Sequence, residues 1–415
     1  MTRPIRFALA CLVLPFAGAA ATSPAQAASW TVSVRNLGPG VGEAPVLAEV
    51  PASVPAGRYR LEPKGGRADV RPAVVLTDAG KTYLGAVFKD LPARGSLEFT
   101  LRPDAESGAA KPGVVIRPGS KNLDVSIDGK PLTIYRTDIG TKPILFPLVG
   151  PTGVPITRAY PSETVEGEDR DHPHQRSAWF THGNVNGFDF WASDPLNKPN
   201  PKLPPGSIRE TARSVAGSGG PVGLLRTSDD WLGPDGKSVC SDERVVTFYD
   251  TAEGRVFDFD VLVKATAGPV TFGDTKEGMF GFRVASSMDV NKKKGGKITN
   301  AEGLTDDAAW GKASRWVDYT GPVAGQTVGI AVLNHPDSFR FPTTWHVRTY
   351  GLFAANPFGW HDFGQKTSGE YSVPAGKSIA FRYRVILHKG ETASAKVDEA
   401  FRAYAAPPTV EVTAD

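Results

Sequence analysis

Disulfides, long apolar runs and a charge of one sign are all missing from this sequence. Only two of its 415 residues are cysteine, and Cys11 lies in an N-terminal apolar run, Phe7 to Ala21, preceded by Arg3 and Arg6 and followed by Ala25-Gln26-Ala27. That layout predicts a cleaved export signal over residues 1–28 and a secreted or periplasmic mature protein. Ala8-Leu9-Ala10 puts alanine where a lipoprotein signal has leucine, which argues against lipid anchoring. Cys240 is then alone, so no internal disulfide staples the fold and stability must come from a core. No later stretch approaches the ~20 apolar residues of a membrane span. Charge is balanced: 47 Lys and Arg, two of them in the signal, face 44 Asp and Glu, which argues against nucleic acid as a partner.

Turn chemistry is abundant instead. Glycine and proline number 45 and 35, and short alternating apolar runs recur between them, the pattern of an all-β chain. Residues 29–105 read as a small β-sandwich accessory domain: Trp30, Val32 and Val34 alternate, and Val74 to Leu76 leads through Asp78-Ala79-Gly80-Lys81 into Tyr83 to Phe88. Glu106 to Gly113, ESGAAKPG, has linker composition. A second, larger domain over 114–406 opens with a hairpin, Leu123 to Ile127 and Leu132 to Tyr135, around the type I′ signal Asp128-Gly129. Phe257, Phe259, Val261 and Val263 share one strand face, as do Ile379, Phe381, Tyr383, Val385 and Leu387. Arg382, Arg384 and His388 fall on the opposite face of the latter strand, where His388 is expected to be solvated. One helix is expected, Thr392 to Ala405, stopped by Pro407 and Pro408, with a tail at 407–415. The predicted fold is all-β: a large antiparallel β-sandwich with a small N-terminal β-sandwich and a short C-terminal helix.

Seven histidines are few for this length, and three fall in Asp171 to Trp191, DHPHQRSAWFTHGNVNGFDFW. His172, His174 and His182 share strand parity, with Arg176 and Trp179 beside them. Polar groups in such aromatic company indicate a pocket. In Phe272 to Arg283, FGDTKEGMFGFR, the charges Asp274, Lys276, Glu277 and Arg283 stand among aromatics. A glutamate pressed against aromatics has its pKa raised by desolvation, as a general acid or base near neutrality requires. A glycine-rich turn with solvated charges is the plain alternative. Asn334-His335-Pro336 and Trp345-His346-Val347-Arg348 add two histidines and an arginine. Trp310-Gly311-Lys312 and Arg315 to Tyr319, which includes Trp316, offer rings for a sugar face, with core packing the equal alternative for Trp310.

Together the blocks DHPHQR, HGNVNGFDFW, GDTKEG, WGK and WHVR, spread between Lys142 and Asn356, resemble a bacterial family labelled "methane oxygenase PmoA". The resemblance implies a domain similar to the galactose-mutarotase-like β-supersandwich of sugar epimerases, lyases and hydrolases, and, through its label, a copper-dependent oxidase as another possibility. Where the family tends to show a second histidine, this chain has Gln175.

The expected function is a secreted carbohydrate-active enzyme with a carbohydrate or other small-molecule substrate. His174 and His182 with Glu277 carry the acid–base chemistry. His172, Arg176, Trp179, Asp274, Lys276, Arg283, Trp316, His335, His346 and Arg348 bind substrate. The rivals are a non-catalytic sugar-binding protein and a metal-dependent oxidase, in which His172, His174 and His182 with Glu277 or Asp274 would ligate zinc or copper. Metal-free chemistry is ranked first, so no metal ligand is assigned, and a divalent metal stays open as a cofactor.

Overall fold

The computed structural model describes residues 29–65, 69–104, 113–198, 200, 202–252 and 255–415. The expected export signal and all but Gly113 of the expected linker lie outside the described residues. Strands make up 51% and helices 5%, so the all-β expectation holds. Among the described residues no helix is long and apolar enough to cross a membrane.

Two eight-stranded antiparallel sheets form the large domain. The first runs, in spatial order, Trp345–Val347, Leu352–Ala355, Gly278–Arg283, Ala178–His182, Ile144–Leu145, Lys130–Arg136, Leu123–Ile127 and Val114–Pro118. The second runs Ser207–Ala216, Val222–Leu232, Ser238–Asp250, Arg255–Lys264, Ser378–Lys389, Gln326–Asn334, Trp316–Val323 and Lys297–Asn300. Period-2 alternation turns one face of each sheet inward. Phe180 and Phe280 from the first sheet there meet Phe259, Phe381 and Tyr383 from the second. The hairpin is as its sequence demands: Asp128 at φ 50° and Gly129 at φ 73° join the paired Ile127 and Lys130.

The N-terminal region forms a seven-stranded antiparallel sheet around its own core of Val32, Val34, Leu61, Phe88, Phe99 and Leu101. The segment expected as a tail supplies its seventh strand, Thr409–Ala414, paired along the whole of Trp30–Arg35. Val412 is buried in that core and Val410 packs against it, so the alternation in TVEVTA has an apolar face to satisfy. The opposite edge strand, Val41–Val50, comes back into contact with Thr409–Ala414, so the sheet curls over its core.

This small domain and the helix cover the outer face of the second large sheet. Val74, Leu76 and Val87 pack against Val222, Tyr249, Val256 and Ile386, while Val397, Phe401 and Tyr404 close over Trp316 and Leu333. The helix is Val397–Ala405 and begins five residues later than Thr392, because Lys396 stands at φ 51° and residues 392–396 are turns. The first large sheet carries a different outer surface, and most of the motif blocks converge there.

Candidate functional site

Alternation along Ala178–His182 sends Ala178 and Phe180 inward and Trp179 outward, where it joins Trp191, Ile144, Phe146 and Leu352. On the neighbouring strand Gly281 lies under the two indoles: a Cβ there would come within 2.8 Å of Trp179 and 3.1 Å of Trp191. Glycine therefore permits the tryptophan floor, and Arg283, two residues on, rises at its edge. Both indole N–H groups of the floor are buried and find no hydrogen-bond partner among the described residues.

Asp171 organises the charged part of this face. Its carboxylate accepts from Arg283 Nη2 at 2.8 and 3.1 Å, from Arg158 Nη1, and from His172 Nδ1 at 2.7 Å. Burial alone would raise this carboxyl, but the His172 hydrogen bond and the charges of Arg283 and Arg158 hold it well below the usual carboxylate range. The bond from Nδ1 assigns the His172 tautomer and leaves the Nε2 lone pair free on a ring that is 42% exposed. His172 precedes Pro173, a context that favours extended backbone, yet stands at φ 43°. Its ring stacks on Tyr350 with centroids 5.3 Å apart and planes 9° from parallel. Arg283 lies 4.9 Å from the same Tyr350 ring and also donates to Gln175 Oε1 at 2.6 Å.

Glu277 enters from the turn before Gly278–Arg283. It packs over Gly183, whose Cβ would come 2.7 Å from that of Glu277. Desolvation raises its carboxyl above the ordinary value, offset in part by Lys276, whose Nζ lies 3.4 Å from Oε1. A third of the side chain still meets solvent, so the surrounding protein depletes water without sealing the group off. A positive charge on His172, once it takes a proton, would act to lower the Glu277 carboxyl.

The remaining sequence candidates divide. His174 is on this face, 6.5 Å from Trp191 between ring centroids, and its Nδ1 lies 3.2 Å from Asn197 Nδ2, an amide donor. The proton is therefore on Nε2. Burial first, then the nearby charges of Lys142 and His172, push His174 down to about 3, which suits a neutral donor and not a base. His346 donates from Nδ1 to Lys276 O at 2.7 Å and is pushed by burial down to about 3, so it fastens the Glu277 turn. Arg348 lies over the rings of Trp310 and Tyr350.

Others are elsewhere or already engaged. His182 has the parity of Phe180 and faces the core: it packs on Phe272 and Phe358, bonds Gly273 O through Nε2 at 2.7 Å, and is held down to about 4 by burial. The expected convergence of three histidines does not occur, because His172 and His174 precede the strand and stand across the sheet from His182. Among the described residues no group of three or more His, Cys, Asp and Glu is placed to hold a metal, so the zinc or copper shell with Glu277 or Asp274 is not assembled. Asp274 instead accepts the backbone N–H groups of His361 and Gly369. Arg176 is buried in a two-bond pair with Asp194 at 2.6 and 3.1 Å. Trp179, expected as a stacking platform, is 1% exposed and forms floor.

His335 and Trp316 belong to the covered face of the other sheet. His335 meets Tyr404 edge-on, with centroids 4.9 Å apart, and Trp316 Nε1 donates to Asp398 at 3.2 Å. His388 is buried there and not solvated, its Nε2 3.0 Å from Asp318. Sequence reasoning passed over Asp171, Arg158 and Tyr350 as site residues. Only Asp171 left a signal, as the acid directly before a histidine.

The DUF6807 family model, described as a family of unknown function, matches residues 122–402. No curated protein matches the chain. Among solved structures, a galactose mutarotase-like protein from Lactobacillus casei ATCC 334 is similar at 11% identity and a TM-score of 0.31, with 66% of this chain and 100% of that chain covered. A likeness that distant carries no argument about chemistry. The methane-oxygenase label suggested by the motif blocks finds no support in these comparisons. With well over half of its length inside the matched region, the chain belongs to the DUF6807 family, whose function is unknown.

Proposed function

We propose that the outer face of the first large sheet is the active site of a carbohydrate-directed enzyme working by metal-free acid–base catalysis. The observation that carries this reading is the Asp171–His172 pair standing on the same face as Glu277. Asp171 holds the His172 tautomer and would stabilise the imidazolium that forms when Nε2 takes a proton. Glu277, raised above its ordinary value by desolvation, holds its proton to higher pH than a solvated carboxyl and serves as the opposing acid. His174 offers a neutral Nε2–H to a substrate oxygen. The half-buried rings of Tyr350 and Trp310, whose faces also meet His172 and Arg348, supply apolar edges beside which a sugar can lie. His172 thus takes the place beside Glu277 that the sequence suggested for His174, because its ring keeps its solvent and its carboxylate partner, and the roles expected from the sequence, histidine as acid and Glu277 as base, are exchanged.

A purely binding protein needs the rings and donors but gains nothing from an oriented imidazole paired with a desolvated carboxyl. The test is a screen of purified protein against neutral and acidic oligosaccharides, with and without added divalent metal, beside Glu277→Gln and His172→Asn. The expected result is metal-independent turnover lost in both variants. Saccharide binding without conversion in any arm would favour the binding protein, and turnover abolished by chelator would favour the metal enzyme.

A further inference from the structure

Among the described residues, the arginines packed into this face are held by neighbours, except for Arg348; Arg170, beside Asp171, is exposed and lies outside the packed face. Arg158 and Arg283 are held by Asp171 and Arg176 by Asp194. Arg340 donates to Pro357 O and Gly369 O. The guanidinium of Arg348, among the described residues, has neither an ion pair nor a hydrogen bond. It lies over two rings, 5.5 Å from the centroid of Trp310 and 5.9 Å from that of Tyr350. Ring faces attract the cation without using its in-plane N–H donors, so the donor fork remains available.

Its position is fixed from the backbone. Arg348 N–H donates to Leu352 O at 2.7 Å, its carbonyl accepts from Gly351 N–H at 3.0 Å and Tyr319 Oη at 3.3 Å, and Gly351 takes the φ of 99° that this turn requires. Tyr350 then links the two halves of the face, with His172 stacked on its ring and Arg348 at its margin. Charge runs the same way. The acidic groups Asp171 and Glu277 share their surroundings with Arg158, Arg283, Lys276 and Arg348, and Asp171 is fully engaged. A planar guanidinium without an acceptor, backed by aromatic rings, matches a carboxylate better than a hydroxyl, since the fork presents two parallel donors to two equivalent oxygens.

We propose that the site takes an acidic saccharide, a uronate whose carboxylate docks on Arg348 while its ring lies toward Tyr350 and the His172–Glu277 pair. The proposal rests on the carbohydrate reading above and narrows it. Arg348 is a specificity-determining residue that touches the substrate carboxylate and takes no part in proton transfer.

The experiment is calorimetric binding to the full mature chain, comparing glucuronate and galacturonate oligomers with neutral gluco- and galacto-oligomers of equal length. The same pairs are measured on Arg348→Gln and Arg348→Lys. Wild type is expected to prefer the uronate by about ten- to a hundredfold, the range of a charge-assisted hydrogen-bonded contact. Arg348→Gln should bring uronate affinity down to the neutral level while neutral affinity stays within about threefold. Arg348→Lys should keep part of the preference, since it retains charge without the fork. The preference of the wild-type protein is itself a test that needs no variant to fold. Equal affinity for neutral and acidic oligomers, a uronate preference that survives in Arg348→Gln, or a sulfated saccharide bound as tightly as the uronate would overturn the proposal and leave the carbohydrate reading intact. Binding of no saccharide of any class would overturn both.

Discussion

On the outer face of the second large sheet, Arg384 donates to Asp258 at 2.6 and 2.8 Å, Tyr249 Oη donates to the same carboxylate at 2.8 Å, and Tyr404 closes over the guanidinium. On the outer face of the first, Asp171 gathers two arginines in a similar way but also takes His172, whose ring opens to solvent. Both faces carry arginine, histidine, tryptophan and carboxylate. The small domain and the C-terminal helix cover one, so its charges are saturated by neighbours and serve adhesion. The other keeps His172, Glu277 and Arg348 within reach of a ligand. Coverage, more than residue type, separates a buried structural pair from a candidate catalytic one.

The sharpest way to break this comparison is to exchange ionisable groups on each face. Glu277→Gln and His172→Asn should each lower turnover by about 10²–10⁴-fold, or about 3–5 kcal/mol of transition-state stabilisation, with melting temperatures within a few degrees of wild type. His335→Asn and Trp316→Phe, on the covered face, should leave turnover within a few-fold. Equal losses across all four variants would erase the distinction.

Stability should show the reverse pattern. Arg384→Met leaves Asp258 buried with only the Tyr249 hydroxyl, and breaking such a pair costs about 3–5 kcal/mol, measurable by urea unfolding. The double variant Arg384→Met with Asp258→Leu should recover a large part of that loss, because the cost lies in the charge left unpaired. A double variant as unstable as the single one would show that the pair contributes more than its own compensation.

Asp171→Asn tests the hub on the open face, where solvent screens the carboxylate but the Arg158 and Arg283 guanidiniums that it neutralises are buried, so the stability cost should reach about 1–3 kcal/mol. The native carboxyl is held below its unfolded value, so its contribution is complete above about pH 4 and is lost as pH falls through the folded value. The variant should therefore lose less stability on acidification than wild type. It should also lower turnover by releasing the His172 tautomer, a readout that a merely structural acid would not move.

The smallest effect is expected at His388. Burial lowers its affinity for the proton, but the hydrogen bond and charge of Asp318 outweigh burial and raise the folded pKa. Its stabilisation is present below about pH 6.5 and is lost as pH rises through the folded value. Between pH 6 and pH 9 wild type should lose more stability than His388→Gln, without a matching change in turnover.

Strand alternation was legible along Arg255–Lys264 and Ser378–Lys389 because period 2 is a local property, and Asp128-Gly129 announced its turn because only residues tolerant of positive φ fit it. His172 and Glu277 were also visible, each in an aromatic block. His182 misled because parity was counted through Pro173, where the backbone turns at His172 and the chain is not yet a strand. Trp316, His335 and His388 misled for another reason: the elements that cover them, Val397–Ala405 and the N-terminal sheet, are distant in sequence, and a strand's outer face reads the same whether water or protein lies against it.

The sequence by itself determined the all-β class, the hairpin, the two core-facing strands and the blocks in which polar and aromatic residues cluster, since these follow from local periodicity, turn sterics and composition. Only the tertiary structure decided that Thr409–Ala414 completes the N-terminal sheet, that His182 is core, and that Asp171 holds Arg158, Arg283 and His172 together. It also left Arg348, among the described residues, without a hydrogen-bond or ion-pair partner beside Tyr350. Those outcomes depend on which residues distant in the chain lose water against one another, and burial of that kind is a property of the packed whole.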